Sequence, residues 1–222
     1  MNHYKVTEIY ESVQGESYLA GEPCTFVRFS GCPLRCRWCD TSYSFEGGEE
    51  KSLGGIVSEV KKLGPKLVEL TGGEPLARPG VADLCTALVS EGYRVMIETS
   101  GSYDISCLPK EVTVIMDLKC PESGMEQKNC YENLAHLKPT DEVKFVVASY
   151  EDFLWADRMI RKSFDINGTE VTLSQICKVS LSPAFGLVKP QDLVSWMLET
   201  KLSARLNLQI HKYIWSPRKK GV

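Results

Sequence analysis

The chain has 222 residues, 43% of them hydrophobic and 25% charged, with a formal net charge of −3. That balance fits one globular domain with a sizeable core and excludes the strongly basic surface of a general nucleic-acid binder. No apolar run approaches the roughly 18 residues of a membrane span.

From the N-terminus, residues 5–9 read as a strand that runs into Glu8-Ile9-Tyr10-Glu11-Ser12-Val13-Gln14-Gly15-Glu16-Ser17. Gln14 offers a donor and an acceptor suited to the edge of a heterocycle. A second strand, 25–29, carries Arg28 among apolar residues. Its planar fork suits a substrate carboxylate; a structural ion pair with one of the many Glu residues is the plainer alternative. Next come Cys32, Cys36 and Cys39, spaced C-x₃-C-x₂-C with Trp38 before the last. The following cysteine is Cys85, so a four-ligand zinc site cannot be finished locally. Three thiolates can hold a 4Fe–4S cube with one iron open to an outside ligand. A free-thiol cluster or an incomplete zinc site is the bland alternative. Asp40-Thr41 follows directly, and a hydroxyl there can join substrate oxygens and water around Mg²⁺. The chemistry alone favours a helix cap or an Asx turn.

Beyond the cysteines, strands at 66–70, 94–97, 112–116, 143–148, 178–181 and 206–210 alternate with helices at 53–63, 81–91, 131–137, 151–164 and 190–201. Repeated strand–helix–strand units predict an α/β protein with a parallel sheet and right-handed crossovers. About six units point to a partial or split (β/α)₆-type barrel in one domain spanning 1–222, its site at the C-terminal strand ends. Polar or glycine-rich residues stand there repeatedly: Thr71-Gly72-Gly73-Glu74-Pro75, Glu98-Thr99-Ser100, Asp117-Leu118-Lys119 and Ser182-Pro183-Ala184-Phe185. Gly72-Gly73 lets backbone approach a ligand closely, where a lone pair of glycines would be a tight turn. His211-Lys212 follows the last strand; a lone histidine is more often structural than catalytic. The tail from Ser216 reads as frayed.

The chain has nine cysteines and no signal-peptide core after Met1. Together these argue for a reducing cytoplasm rather than a disulfide framework. The remaining six, Cys24, Cys85, Cys107, Cys120, Cys130 and Cys177, read as small buried hydrophobes.

The cysteine loop with its aromatic, together with T-G-G-E-P, resembles the radical S-adenosylmethionine (SAM) enzymes. The wider set is similar to the 7-carboxy-7-deazaguanine synthase family over nearly the whole chain. That set is E-I-x-x-S-x-Q-G-E, R-F-x-G-C, C-x₃-C-x₂-C-D-T, T-G-G-E-P, E-T-(S/N)-G and Q-x-H-K-Y. The resemblance implies a shortened barrel, a homodimer, Mg²⁺, and a SAM-initiated radical ring contraction of 6-carboxy-5,6,7,8-tetrahydropterin. Ammonia is lost and 7-carboxy-7-deazaguanine forms, for queuosine or deazapurine synthesis, with an electron donor such as flavodoxin or ferredoxin. No nucleic acid or membrane takes part. Carried onto this sequence, Cys32, Cys36 and Cys39 hold the cluster and Thr41 contacts Mg²⁺. Trp38, Cys39, Asp40, Gly73, Glu74, Glu98, Ser100, Asp117, Leu118, Lys119, Ser182, Pro183, Ala184 and Phe185 meet SAM. Val13, Gln14, Gly15, Arg28, Thr71, His211 and Val222 meet the pterin, with segments 1–23 and 206–222 completing that site. Ser17 stands where the family often has glycine, and Asp117 where it often has serine. The rival readings are a glycyl-radical-enzyme activase and a non-catalytic iron–sulfur or zinc module; the second leaves T-G-G-E-P and Gln-Gly-Glu unexplained.

Overall fold

The computed structural model describes residues 3–217 and 219–222. Met1 and Asn2 of the 1–23 segment, and Arg218 of the tail, lie outside them. Strand β1 (His3–Val13) runs antiparallel to β2 (Pro23–Phe29) on one side and to β3 (Glu49–Ser52) on the other. Helix α1 (Leu53–Val60) leads to β4 (Leu67–Gly72), and α2 (Val81–Ser90) to β5 (Arg94–Thr99). Then come β6 (Thr113–Asp117), β7 (Glu142–Val147), α3 (Tyr150–Arg161), β8 (Phe164–Ile166), β9 (Thr169–Val171) and α4 (Leu173–Ile176). The chain closes with β10 (Lys178–Pro183), α5 (Pro190–Glu199), β11 (Arg205–Leu206) and α6 (His211–Ile214).

Among the described residues, nine strands form one sheet in the order β11-β10-β7-β6-β5-β4-β2-β1-β3. Every neighbouring pair from β11 to β2 is parallel. The two edges, β11 and β3, do not pair, so the barrel is open as expected. Successive side chains point to opposite faces of a strand, and that alternation places the site. Along β4, Val68 and Leu70 face the main core under the helices, while Leu67, Glu69 and Thr71 share the other face. Leu67 joins Leu19, Cys24, Phe26, Met96 and Ile115 in a second, smaller core. That face therefore starts apolar at the strands' N-terminal ends and turns polar toward their C-terminal ends. Helix α2 buries Val81, Leu84, Cys85 and Leu88, the i, i+3, i+4, i+7 stripe of an amphipathic helix. Ser52 and Ser149 cap α1 and α3 by accepting from Gly55 N and Asp152 N, each at 3.1 Å.

The structure corrects several sequence-based expectations. Residues 131–137 are not an α-helix but 3₁₀ turns over Tyr131–His136. Only Asn133 and Leu134 of that stretch are buried, and Asn133 bonds the backbone of Gly101, Tyr103 and Ile105. Among the described residues the crossovers after β5 and β6 carry no α-helix. The expected strand 206–210 pairs only at Arg205–Leu206. Beyond it the chain turns into the site and forms α6. Helix 151–164 stops at Arg161, and Phe164 instead opens a hairpin turned by Asn167 and Gly168, with φ of 55° and 81°. Positive φ at both central residues is what an Asn-Gly turn supplies. The cysteine reading holds for Cys24, Cys85, Cys120 and Cys177, which are buried; Cys107 is exposed and Cys130 half-buried.

Candidate active site

A cavity of about 740 Å³ opens at the C-terminal ends of the parallel strands. Sheet register builds its wall: Arg28 lies beside Thr71, Asp117 beside Lys144, and Val146 beside Ser182. The cysteine loop after β2 closes one side.

Backbone bonds hold that loop. Gly31 N donates to Ser44 O at 2.6 Å and Arg37 N to Ser123 O at 3.2 Å. Arg35 Nη1 donates to Cys32 O at 2.6 Å and Leu34 O at 2.7 Å while its guanidinium lies 4.3 Å from the centroid of the Phe45 ring. The glycine turn after β4 is joined to the same loop, Gly73 N donating to Phe29 O at 3.1 Å and Glu74 N to Gly31 O at 3.0 Å. Cys32, Cys36 and Cys39 are free, half-buried and all on the cavity wall. Burial raises all three thiols, so a metal's charge is needed to keep them as thiolates. Soft donors at an open cavity fit an iron–sulfur cluster. Among the described residues, no three His, Cys, Asp or Glu side chains gather around a point suited to a single metal ion. Trp38 lines the wall beside the cysteines.

The polar wall is densely paired. Arg28 Nε donates to Glu8 at 2.8 Å and Nη2 to Tyr10 Oη at 2.9 Å, and Tyr43 Oη donates to the same Glu8 at 2.7 Å. Thus the ion pair weighed as the plainer reading of Arg28 exists. Glu8 and Tyr10 each hold one of the five N–H groups a guanidinium carries, leaving three for a ligand. Gln14 is buried, donating to Glu69 at 2.9 Å and accepting from Glu16 N at 2.7 Å. Burial, with Glu98 nearby, pushes the Glu69 carboxyl well above the carboxylate range. Burial raises Glu98 as well, against the pull of Lys144. Lys144 Nζ reaches Glu16 at 2.7 Å and Glu98 at 3.5 Å; burial alone would lower it, and these charges keep it cationic. Asp117 Oδ2 pairs with Lys119 Nζ at 2.8 Å, while its Oδ1 is buried with no partner. An orphaned acceptor on a cavity wall is a place for a ligand hydroxyl or ammonium.

The C-terminal segment lies across this cavity. Ile210 N donates to Gly15 O at 2.8 Å, and His211 packs so tightly on Gly15 that a Cβ there would overlap its ring. Burial lowers the His211 imidazole. Pro217, Lys219, Lys220 and Val222 line the wall, and Lys220 Nζ sits 4.2 Å from the centroid of the Tyr43 ring. The tail thus runs along the cavity wall, with Pro217, Lys219 and Lys220 still exposed and Val222 half-buried. Gln209 and Lys212 both bond Asp40 in the cysteine loop, at 2.9 and 2.7 Å. Burial opposes ionisation of Asp40, but Lys212 and these hydrogen bonds outweigh it and hold the carboxyl below its usual range. Thr41 does stand at the N-cap of a 3₁₀ turn, Ser42–Ser44, yet its hydroxyl does not cap; it donates to Asp40 at 2.8 Å.

The cavity gathers Val13, Gln14, Gly15, Arg28, Thr71, His211 and Val222, together with Thr41, Asp40, Gly73, Glu98, Ser100, Asp117, Lys119, Ser182, Ala184 and Phe185. Three expected residues stand off its wall. Glu74 is fully buried and braces the next strand end, accepting from Thr99 Oγ1 at 2.8 Å, Ser100 N at 2.7 Å and Ser100 Oγ. Leu118 is buried in the core, its N–H donating to Lys144 O at 2.9 Å. Pro183 lines a separate pocket of about 250 Å³ instead. Sequence reasoning missed Tyr10, Tyr43, Glu69 and Lys144 on this wall, and gave no site role to Glu16, Gln209 and Lys212, which stand in its Q-G-E and Q-x-H-K-Y motifs. Glu69 and Lys144 did carry a signal, since a charge inside a buried strand is costly without a partner.

Residues 26–122 match the profile of the Radical SAM superfamily. A 7-carboxy-7-deazaguanine synthase from Koribacter versatilis is 44% identical, covering 98% of this chain and all of its own length. One from Chlorobaculum tepidum is 40% identical over 98% of this chain and 96% of its own. Among solved structures, QueE from Escherichia coli superposes with a TM-score of 0.73 at 23% identity, covering 93% of this chain and 94% of that one; this likeness concerns the fold.

Proposed function

This chain belongs to the 7-carboxy-7-deazaguanine synthase family of radical SAM enzymes, and we propose that it contracts the ring of 6-carboxy-5,6,7,8-tetrahydropterin, releasing ammonia as a carbon–nitrogen lyase. The observation that carries the reading is a single cavity with three thiols on one side and the Arg28–Gln14 wall on the other. Cys32, Cys36 and Cys39 would hold the 4Fe–4S cluster. With SAM bound there, the pair would supply one-electron radical chemistry to the substrate.

This chain's own residues bind and orient. Asp117 Oδ1 offers its vacant acceptor to the cofactor's hydroxyls or amine. The three free N–H groups of Arg28 take the pterin carboxylate end-on, with Glu8 and Tyr10 fixing the guanidinium. The Gln14 backbone is bonded to Glu22 O and Gly21 N, and its amide to Glu69 and Glu16 N, so the second hydrogen of Nε2 is what it offers the ring edge. Pro217, Lys219, Lys220 and Val222 of the tail line the same cavity as the thiols, which favours a small-molecule substrate over the glycyl-radical activase's protein partner. Mg²⁺ keeps several waters and few protein ligands, consistent with Thr41 as its contact and no ready multi-ligand cage among the described residues. A homodimer, a flavodoxin or ferredoxin as reductant, and a cytoplasmic setting complete the proposal; no helix among the described residues is long and apolar enough to cross a membrane.

The test is an anaerobic assay of reconstituted protein with SAM, Mg²⁺, a strong reductant and the pterin acid, read by mass spectrometry. Product lighter than substrate by one ammonia, with 5′-deoxyadenosine, is expected. Deoxyadenosine with unchanged pterin would discard the substrate. Arg28→Ala is expected to raise KM for the pterin, with SAM binding unchanged. A charge-assisted pair contributes about 1.5–3 kcal/mol, on the order of 10- to 100-fold. Arg28→Lys, which can keep the Glu8 pair but lacks the fork, should recover only part of the loss. Normal pterin affinity in Arg28→Ala would remove the carboxylate clamp.

A further inference from the structure

A threonine hydroxyl has one hydrogen and two lone pairs. In Thr41 the hydrogen is committed, because Oγ1 donates to Asp40 Oδ1 at 2.8 Å. Thr41 lines the cavity, so its lone pairs are what it can offer there. Asp40 in turn is held through its other oxygen. Oδ2 accepts from Lys212 Nζ at 2.7 Å and from Gln209 Nε2 at 2.9 Å. Those two residues brace each other, Lys212 Nζ donating to Gln209 Oε1 at 2.6 Å. Gln209 Nε2 also donates to Glu16 Oε1 at 2.7 Å, and Glu16 Oε2 pairs with Lys144 at 2.7 Å. Lys212 Nζ sits 5.0 Å from the centroid of the Phe185 ring, and the side chain is only 6% exposed, whereas Asp40 is 47% exposed. The lysine is thus the buried anchor of the pair, and the more exposed carboxylate takes its orientation from Lys212, Gln209 and Thr41.

We propose that Lys212 and Gln209 are positioning residues for the cation site: they hold Asp40 so that it orients the Thr41 hydroxyl toward the bound cation. The logic is that of outer-shell carboxylates, which orient a ligand and are worth 10- to 100-fold in metal affinity. Without Lys212, Asp40 turns away from Thr41 or toward the cation, and the hydroxyl loses its direction. Because the latch runs from the tail to the cysteine loop, the cation site is complete only when the tail is seated. The inference rests on the Mg²⁺ reading above.

The test uses Mn²⁺ in place of Mg²⁺, its binding to reconstituted full-length protein with SAM and the pterin followed by electron paramagnetic resonance without reductant. In Lys212→Met, Mn²⁺ binding is expected to weaken roughly 10- to 100-fold, with iron content unchanged. Lys212→Arg, which restores a cation, is expected to recover most of it. A tail clasp with no bearing on the cation would lower the melting temperature of Lys212→Met and leave Mn²⁺ binding as in wild type; that result overturns the proposal. So does an arginine variant as weak as the methionine one. If Lys212→Met fails to assemble its cluster, Asp40→Asn provides the comparison, since it removes the ion pair's charge and keeps an amide near Thr41. Wild-type protein that binds no Mn²⁺ overturns the Mg²⁺ reading itself, and is thereby distinguished from failure of the latch alone.

Discussion

Cys36→Ala is expected to fold, to lose its iron–sulfur cluster and to form no 5′-deoxyadenosine. Folding survives because the loop is held by groups other than the thiols. Gly31 N is bonded to Ser44, Arg37 N to Ser123, and the Arg35 guanidinium grips the carbonyls of Cys32 and Leu34. The cluster does not survive, because only two soft ligands remain where three hold a cube with an open iron. Iron and sulfide analysis of anaerobically purified protein checks the first half, and SAM cleavage the second. Cys120 sharpens the experiment. It is the other thiol on the cavity wall, and it is 1% exposed. Cys120→Ala is expected to keep about four irons per chain, and a loss there comparable to that of Cys36→Ala would show that the three-thiol assignment is incomplete. Cys107→Ala, at an exposed position, is the matching neutral control.

The parts of this site that the sequence made legible are those whose chemistry is local. Three cysteines within one loop need no partner elsewhere to be read, and the Gly72-Gly73 pair declares a close backbone approach by itself. The departure noted at Ser17 acquires a physical reason from the backbone. Ser17 has a φ of 56°, a left-handed conformation that costs a side-chain-bearing residue about 1–2 kcal/mol and glycine almost nothing. What the sequence hid is pairing across long separations. Glu16 and Lys144 are 128 residues apart, and Asp40 and Lys212 172 apart; no periodicity joins them. Lys144 breaks the apolar run of β7, which shows that a buried charge needs a partner but not which one. The helix expected over 131–137 failed for a similar reason. Its helix-forming residues were overruled by Asn133, whose side chain binds three backbone groups of the 101–105 loop. The hairpin at Asn167-Gly168, by contrast, was a local signal that went unread.

Alternation explains why charge could be placed so deep. Along the parallel strands one alternate set of side chains goes mainly to the main core, as Val68 and Leu70 do on β4. The other face is then free to change character along its length, from Leu67 to Glu69 to Thr71. Buried carboxyls there are tolerable because Glu69 meets the Gln14 amide and Glu98 the Lys144 ammonium rather than hydrocarbon. The same arrangement means that the site's charge balance depends on the N-terminal and C-terminal segments. Glu16 and Lys212 come from those segments and not from the sheet.

Gly73→Ala is expected to damage the site without touching a ligand-bearing side chain. A Cβ at Gly73 would overlap the carbonyl oxygen of Gly31, and it would crowd Cys32 N as well. Neither atom can step aside cheaply. Gly31 O accepts from Glu74 N at 3.0 Å, and Gly73 N donates to Phe29 O at 3.1 Å. The methyl group must therefore push the cysteine loop and the glycine turn apart, breaking the junction that holds Cys32 next to the end of β4. Overpacking of this kind costs about 1–3 kcal/mol, which lowers the melting temperature of a chain this size by roughly 2–12 °C. The functional loss should be larger than the loss of stability. Glu74 braces Thr99 and Ser100 from the same turn, so a shift there displaces two strand ends of the site at once. A displacement near 1 Å can lower a rate about 100-fold. The expected signature is a folded protein with reduced cluster occupancy and SAM cleavage down by two orders of magnitude or more. Alanine at Gly54, where a Cβ meets nothing, is expected to leave both unchanged. Wild-type cleavage in Gly73→Ala would mean that the two motifs can part without consequence, and that the cofactor does not depend on their junction.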